Sequence, residues 1–227
     1  MGQNKLEELK PLESQSEIFK VIIGHEDVKR IFKMSLSSEN PVHILLVGPP
    51  ASAKTLFMLE LMKLQRSYFT LGSHSTKSGL VDYLFAKRPR YLIIDEIEHM
   101  NTKDATALLS LMQTGILSET KHEKTRSTQL RTWVFGSCNS TDKLPRPLLS
   151  RFLVLRFKKY SYDDFKKISN NVLIMDGIDP ELADYVSDVV WGKMNSKDVR
   201  DSIKIARLAK NKKDVDWLVQ ALKNYKR

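Results

Sequence analysis

Lys54 and Thr55 follow the turn GPPASA, and Asp95 and Glu96 close the apolar run YLII. An ammonium group, a hydroxyl and two carboxylates are the types needed to hold an anion, bind a hard cation and orient a water molecule. The stretch Gly48–Thr55 departs by one residue from G-x-x-x-x-G-K-[ST], because Ala53 stands where the pattern has its second glycine. In that pattern a turn between a buried strand and a helix wraps backbone N–H groups around phosphate oxygens, and the helix dipole adds to the attraction. Lys54 would then reach the β- and γ-phosphates of a nucleotide, and the Thr55 hydroxyl would bind Mg²⁺. Glycine is required only where φ is positive or a Cβ would strike the ligand. Alanine at position 53 is therefore expected on helix-like backbone, with the same condition at Ala51 and Ser52.

Three more residues extend the set. Asp95 and Glu96, at the carboxyl end of a strand, lie where ligands bind in open α/β sheets. Asp95 would hold Mg²⁺ and Glu96 would activate the attacking water. Asn139 ends the run VFGSC and could position water against a γ-phosphate. Arg151, at the end of the short helix expected in LPRPLLSRF, carries a guanidinium suited to charge developing on a transferred phosphoryl group. Arg200 falls one turn into a later helix expected to be capped by Ser196, with Lys197 and Arg207 as alternatives for its role.

These residues need elements that bring them together. VHILLVG (42–48) is a continuous apolar run, as in a strand buried on both faces of a parallel sheet, and KTLFMLELMKLQ (54–65) reads as a helix. RSYFTLG (66–72) and RYLIIDEIEHM (90–100) read as further strands, separated by a polar loop and the helix LVDYLFAK. NTKDATALLSLMQTG has Asn101 or Thr102 as N-cap and Gly115 as its stop. Next come two extended arms around a basic tip, a strand ending near Cys138, and a last strand over 153–157. Past Tyr160 helices replace the strand–helix alternation, which places a boundary there. The expected organisation is an N-terminal arm over 1–17, an α/β nucleotide-binding domain over 18–160 and an all-helical lid over 161–227.

The 227 residues are 41% hydrophobic, which suits a globular core, and the net charge is +10. A basic balance of this size favours polyanionic partners, nucleic acid foremost. The excess is uneven: Ser196–Arg227 holds ten Lys/Arg against four Asp, and Lys121–Arg131 holds four against one Glu. One cysteine, Cys138, leaves no internal disulfide and fits a reducing, cytoplasmic setting. No apolar run is long enough to span a bilayer, so no membrane association is expected.

The order of loop, IIDE, Asn139, Arg151 and a helical lid with Arg200 resembles the AAA+ ATPases over roughly residues 18–210. The resemblance implies a P-loop NTPase core of parallel sheet flanked by helices, followed by a small all-α lid. It implies ATP and Mg²⁺ as cofactors and ATP hydrolysis as the activity. By position, Gly48, Pro49, Pro50, Ala51, Ser52, Ala53, Lys54, Thr55 and Leu56 match the nucleotide loop, and Asp95 and Glu96 the acidic pair. Asn139 matches the first sensor, Arg151 the arginine finger and Arg200 the second sensor. Ile22, Ile23 and Gly24 match the segment lining the adenine pocket. The stretch from Leu108 to Asn139 is similar to the hairpin ahead of the first sensor in RuvB-type Holliday-junction motors and MCM-type helicases. An alanine before the lysine is familiar in MCM-type and MoxR-type members. A C-terminal winged-helix domain of the RuvB kind is not expected in this chain.

The branch implies a homo-oligomeric, hexameric ring with active sites at subunit interfaces. Lys121, His122, Lys124 and Arg126 would meet DNA, and a protein partner would supply DNA specificity. A MoxR-like protein-remodelling chaperone and a nucleotide-governed assembly switch are the alternatives. The loop GSHSTKSG lacks the aromatic–apolar pair of threading unfoldases.

Overall fold

The computed structural model describes residues 18–74, 79–121 and 124–225. The expected N-terminal arm and His122 lie outside the described residues. The first of two compact units comprises the chain up to Gly48 together with Ala53–Phe157; the second comprises Pro49–Ser52 and the chain from Lys158.

The first unit is built on five parallel strands: β1 (His43–Val47), β2 (Ser67–Leu71), β3 (Tyr91–Asp95), β6 (Trp133–Cys138) and β7 (Phe152–Arg156). Their order is β2-β3-β6-β1-β7. Alternation sorts the side chains onto two apolar faces. Ile44, Leu46, Ile93 and Phe135 pack with Phe32 of α1 (Glu26–Ser37) and Phe57 of α2 (Lys54–Met62). Leu45, Leu92, Ile94 and Val134 pack with Leu84 of α3 (Gly79–Lys87), Leu108 of α4 (Thr102–Thr114) and Leu148 of α5 (Arg146–Leu149). Helices on both faces explain why β1, β3 and β6 are buried at every position.

α4 is capped by Asn101, whose side chain accepts from Asp104 N at 2.9 Å, and ends at Gly115 with φ 71°. There the chain leaves as a hairpin, β4 (Ile116–Lys121) against β5 (Lys124–Gln129). Its register runs from Ile116↔Gln129 to Lys121↔Lys124. Buried Leu117 joins the α3/α4 core, so one hairpin face is packed at its root. His43 crosses three elements: its Nδ1 accepts from Val134 N at 3.1 Å and its Nε2 lies 3.3 Å from the Met112 carbonyl.

The second unit contains α6 (Tyr162–Met175), α7 (Pro180–Gly192), α8 (Val199–Leu208) and α9 (Lys212–Tyr225). Phe165, Leu173, Val186, Val190, Ile205, Val215 and Val219 form its own core. Ser161 caps α6, accepting from Asp164 N. Ser196 is not the cap of α8. Asp198 takes that place, accepting from Arg200 N at 2.9 Å, while Ser196 Oγ donates to Asp201. Arg200 is thus the second helical residue, not one turn in. Among the described residues no helix is long and apolar enough to cross a membrane.

Candidate active site

β1, β6 and β3 are adjacent, so their carboxyl ends bring the start of the loop, Asn139 and Asp95 side by side. Gly48 is pinned there: its N–H donates to the Cys138 carbonyl at 3.2 Å, and a Cβ would strike the Phe157 carbonyl at 2.7 Å. Its glycine identity thus comes from the close approach of the chain after β7.

Lys54, 6% exposed, donates from Nζ to the Gly48 carbonyl at 2.7 Å and to Asn139 Oδ1 at 3.4 Å. Burial holds its pKa below the usual lysine value, opposed chiefly by the charge of Asp95 and also by that of Glu98. A desolvated ammonium favours an incoming anion. Burial also pushes the Cys138 thiol up to about 12, so it stays protonated.

Asp95 is the last residue of β3, and its Oδ1 accepts from Glu96 N at 3.0 Å and from the Ser137 hydroxyl on the neighbouring strand. The strand stops here instead of running to position 100. Glu96 takes the left-handed conformation, φ 53°, and a short 3-10 turn, Ile97–His99, follows. The reversal leaves the Glu96 side chain exposed while Asp95 stays buried. Gly72, after β2, lies against the Glu96 carbonyl so closely that any Cβ would collide with it. Glu98 Oε1 accepts from Asn139 N at 2.8 Å, joining the ends of β3 and β6. Ser137, Gly72 and Glu98 were not singled out from sequence. Their roles depend on which strand lies beside which.

The loop corrects one expectation. Ala53 has φ 65° and Ala51 φ 63°, so neither is helix-like. Both occupy the left-handed region that costs a Cβ-bearing residue about 1–2 kcal/mol. The reason is geometric: the chain must turn sharply between β1 and α2. Ser52, 2% exposed, donates to the Pro49 carbonyl at 2.7 Å, closing a local turn within that stretch. Thr55 and Leu56 open α2 and are exposed.

Arg151 lies two residues past the end of α5, just before β7, where the short-helix reading had placed it at the helix end. Its Nη1 donates to the Pro147 carbonyl at 2.6 Å and its Nη2 to Gln113 Oε1 at 2.5 Å, while Nε is buried with no hydrogen-bond partner. Ile22 is 2% exposed and spent in the core with Phe19 and Phe32, whereas Ile23 is half-buried and Gly24 exposed. In the second unit, Arg200 grips Asp198 through Nε at 2.9 Å and Nη2 at 2.7 Å. Lys197 Nζ sits 3.0 Å from the Trp191 ring centre, and Arg207 pairs with Asp176 at 3.0 Å.

The basic hairpin is less open than its sequence suggests. Arg126 lies directly opposite Glu119, forms ion pairs with Glu119 and with Asp82 of α3, and rests 4.2 Å over the Phe85 ring. It therefore staples the hairpin to α3 and is not a free cation at the tip. Lys121 and Lys124 are paired at the ends of the two arms.

Among the described residues no cluster of three His, Cys, Asp or Glu could hold a metal unaided. Mg²⁺ needs no such cluster, since it usually keeps one or two protein oxygens and takes the rest from water and phosphates. Thr55 and the free Oδ2 of Asp95 are donors of the right kind.

The model of the ATPase family associated with various cellular activities (AAA) matches residues 44–160. The chain is 26% identical over 176 residues to DNA replication licensing factor MCM7 of Arabidopsis thaliana, covering 59% of this chain and 25% of that protein. It is 25% identical over 174 residues to DNA replication licensing factor MCM6 of Oryza sativa subsp. indica, covering 58% and 21%. The chain thus spans about a quarter of the length of these curated relatives. The structure of the Thermotoga maritima RuvB Holliday junction branch migration motor superposes with a TM-score of 0.68 at 21% identity, covering 94% of this chain and 73% of that one. A mutant of Thermotoga maritima RuvB gives 0.70 at 20% identity, covering 88% and 71%. These likenesses show a shared fold. With the family model spanning more than half of the residues and a lysine, an acidic pair and an asparagine gathered at one sheet edge, the chain belongs to the AAA family of ATPases.

Proposed function

We propose that this chain is the ATP-driven core of a RuvB-like nucleic-acid motor that works inside the cell as a hexameric ring, with ATP sites at subunit interfaces. Residues 18–160 are the nucleotide-binding domain and 161–227 the lid. The observation that carries the reading is the place of the hairpin in the chain. It is inserted between α4, which follows Asp95 and Glu96, and β6, which leads into Asn139. An element reaching for a polyanion is thereby joined covalently to both strands that would sense the γ-phosphate.

In this reading the Lys54 ammonium holds the β- and γ-phosphates, and Thr55 and Asp95 hold Mg²⁺. Bound Mg²⁺ would neutralise charge on the phosphates. Glu96 orients the attacking water and takes its proton, and Asn139 fixes that water against the phosphate. Arg151 stabilises developing charge on the nucleotide of a neighbouring subunit, and Arg200 reaches its own nucleotide once released from Asp198. Ile23 and Gly24 border the adenine. Lys121, His122 and Lys124 touch the DNA backbone, and a protein partner supplies the preference for a DNA structure.

The test is the ATPase rate with and without a four-way DNA junction, at several protein concentrations. Stimulation that grows with protein concentration and weakens steeply with salt is expected. If DNA alters neither rate nor oligomer size, the protein-remodelling reading replaces this one.

A further inference from the structure

At the amino ends of the strands, opposite the nucleotide edge, β2, β3 and β6 lie side by side, and each is preceded by arginine. Arg66 immediately precedes Ser67, Arg88 and Arg90 precede Tyr91, and Arg131 lies two residues before Trp133. Neighbouring strands are about 4.8 Å apart, so this spacing in sequence becomes a row of guanidinium groups along one rim. The row borders an open cleft of about 440 Å³, which Gln129 and Leu130 at the root of the hairpin also line. Among the described residues Glu39 is the one carboxylate in its wall. All four arginines are exposed, and among the described residues none of them is in an ion pair.

The cleft is fixed rather than loose. Arg66 Nη2 donates to the Arg88 carbonyl at 2.8 Å, tying the approaches to β2 and β3 together. Arg90 lies 5.2 Å over the Trp133 ring and 5.6 Å over Tyr91, and Arg131 lies 5.8 Å from Trp133. Stacking holds the guanidinium planes while leaving N–H donors for a ligand. Four permanent charges in one cleft repel each other, and an anion would offset that cost. Guanidinium forks match phosphate oxygens in shape and charge.

We infer that this cleft is a second nucleic-acid contact, taking the phosphodiester backbone of a strand that also meets the hairpin tip. The inference rests on the motor reading above. Three observations select this ligand. The chain's +10 charge favours a polyanion. The hairpin whose root lines the cleft carries Lys121 and Lys124 at its far end, about 20 Å away along six residues. Trp133 and Tyr91 are 2% and 4% exposed, so no ring face is offered to a base. The contact is therefore with phosphate and independent of sequence.

The experiment is fluorescence anisotropy of a labelled mixed-sequence duplex against the full chain, from about 50 to about 200 mM salt. Substituting Arg88→Ala with Arg131→Ala should reduce the slope of log K against log salt by about 1.8, at about 0.9 per phosphate contact. The pair Arg88→Lys with Arg131→Lys should retain the slope, which separates lost charge from lost folding. An unchanged slope in the alanine pair overturns the inference. If Lys121→Ala with Lys124→Ala abolishes DNA-stimulated hydrolysis while the alanine pair keeps its slope, the motor reading stands and the cleft inference falls. If the alanine pair loses slope but DNA never stimulates hydrolysis, the cleft inference stands and the motor reading falls. If the wild-type chain binds no duplex, both fall.

Discussion

Arg151 donates to Gln113 across 2.5 Å, tying the segment ahead of β7 to the last turn of α4. The bond fixes the direction of a guanidinium proposed to act on a neighbour's nucleotide. Arg151→Ala should lower kcat by about 10³-fold or more while nucleotide binding persists. Mixing it with Glu96→Gln protein should restore hydrolysis if the residue acts in trans, and no rescue at any ratio would remove it from that role. Gln113→Ala should lower kcat more mildly, with KM for ATP unchanged. An unchanged kcat would make Gln113 a bystander.

Ala51 and Ala53 hold left-handed backbone in which glycine is unstrained. Ala53→Gly should stabilise the protein by about 0.5–1 kcal/mol, the strain relieved less the chain entropy glycine adds. A rise in Tm of about 2 °C is expected for a chain of this size. The same holds for Ala51→Gly. A fall in Tm for both would show that the loop is not under strain.

Gly72 supports the peptide of Glu96 by its lack of a side chain. Gly72→Ala should displace that peptide, costing about 1–3 kcal/mol and most of the turnover, with nucleotide still bound. Glu96→Gln should give the same trapped complex without the loss of stability. Comparing urea midpoints of the two proteins with their ATPase rates checks both claims; equal midpoints would absolve Gly72.

His43 is buried, and burial lowers its pKa below 6.5. Its Nδ1 accepts from Val134 N, so that nitrogen must be unprotonated in the fold. Below pH 6.5 the unfolded chain takes up the proton before the folded chain does. Stability should therefore fall as pH drops from 6.5 through the folded-state value, and be fully present above 6.5. His43→Gln should remove that part of the acid sensitivity in thermal melts. A melt with the same pH slope in both proteins would show that His43 does not supply it.

Arg126 spends its charge on Glu119 and Asp82. Arg126→Ala should loosen the hairpin only slightly, as the loss of an exposed, solvent-screened ion pair does, and leave the salt slope of DNA binding nearly unchanged. Lys121→Ala with Lys124→Ala should lower that slope by about 1.8. A larger drop from Arg126→Ala would return it to the DNA.

The strings that were legible from sequence are those whose meaning is local. GPPASAKT between an apolar run and a helix, and YLIIDE closing another, announce their elements through burial and turn chemistry within a few residues. Gly115 was legible as a helix stop for the same reason, and the sequence narrows the N-cap to Asn101 or Thr102, of which the structure takes Asn101. What escaped depends on neighbours distant in sequence. Ser137 meets Asp95 only because β6 lies beside β3, and Arg126 finds Asp82 only once the hairpin folds onto α3. The four arginines form a row only when β2, β3 and β6 are adjacent. The positive φ of Ala53 was hidden because the residue type argues for the opposite.

α4 begins six residues after Glu96, and its 13 residues make a rod about 20 Å long. A helix hardly stretches along its axis. Its far end carries three attachments: Gln113 to Arg151, the Met112 carbonyl to His43, and Gly115 to the hairpin. In the motor reading proposed above, a displacement of Asn101 on phosphate release would therefore be carried to the far end of α4. In that reading one stroke of this pushrod would shift the hairpin and Arg151 together, so that a subunit of the ring could not release DNA without also changing its grip on its neighbour.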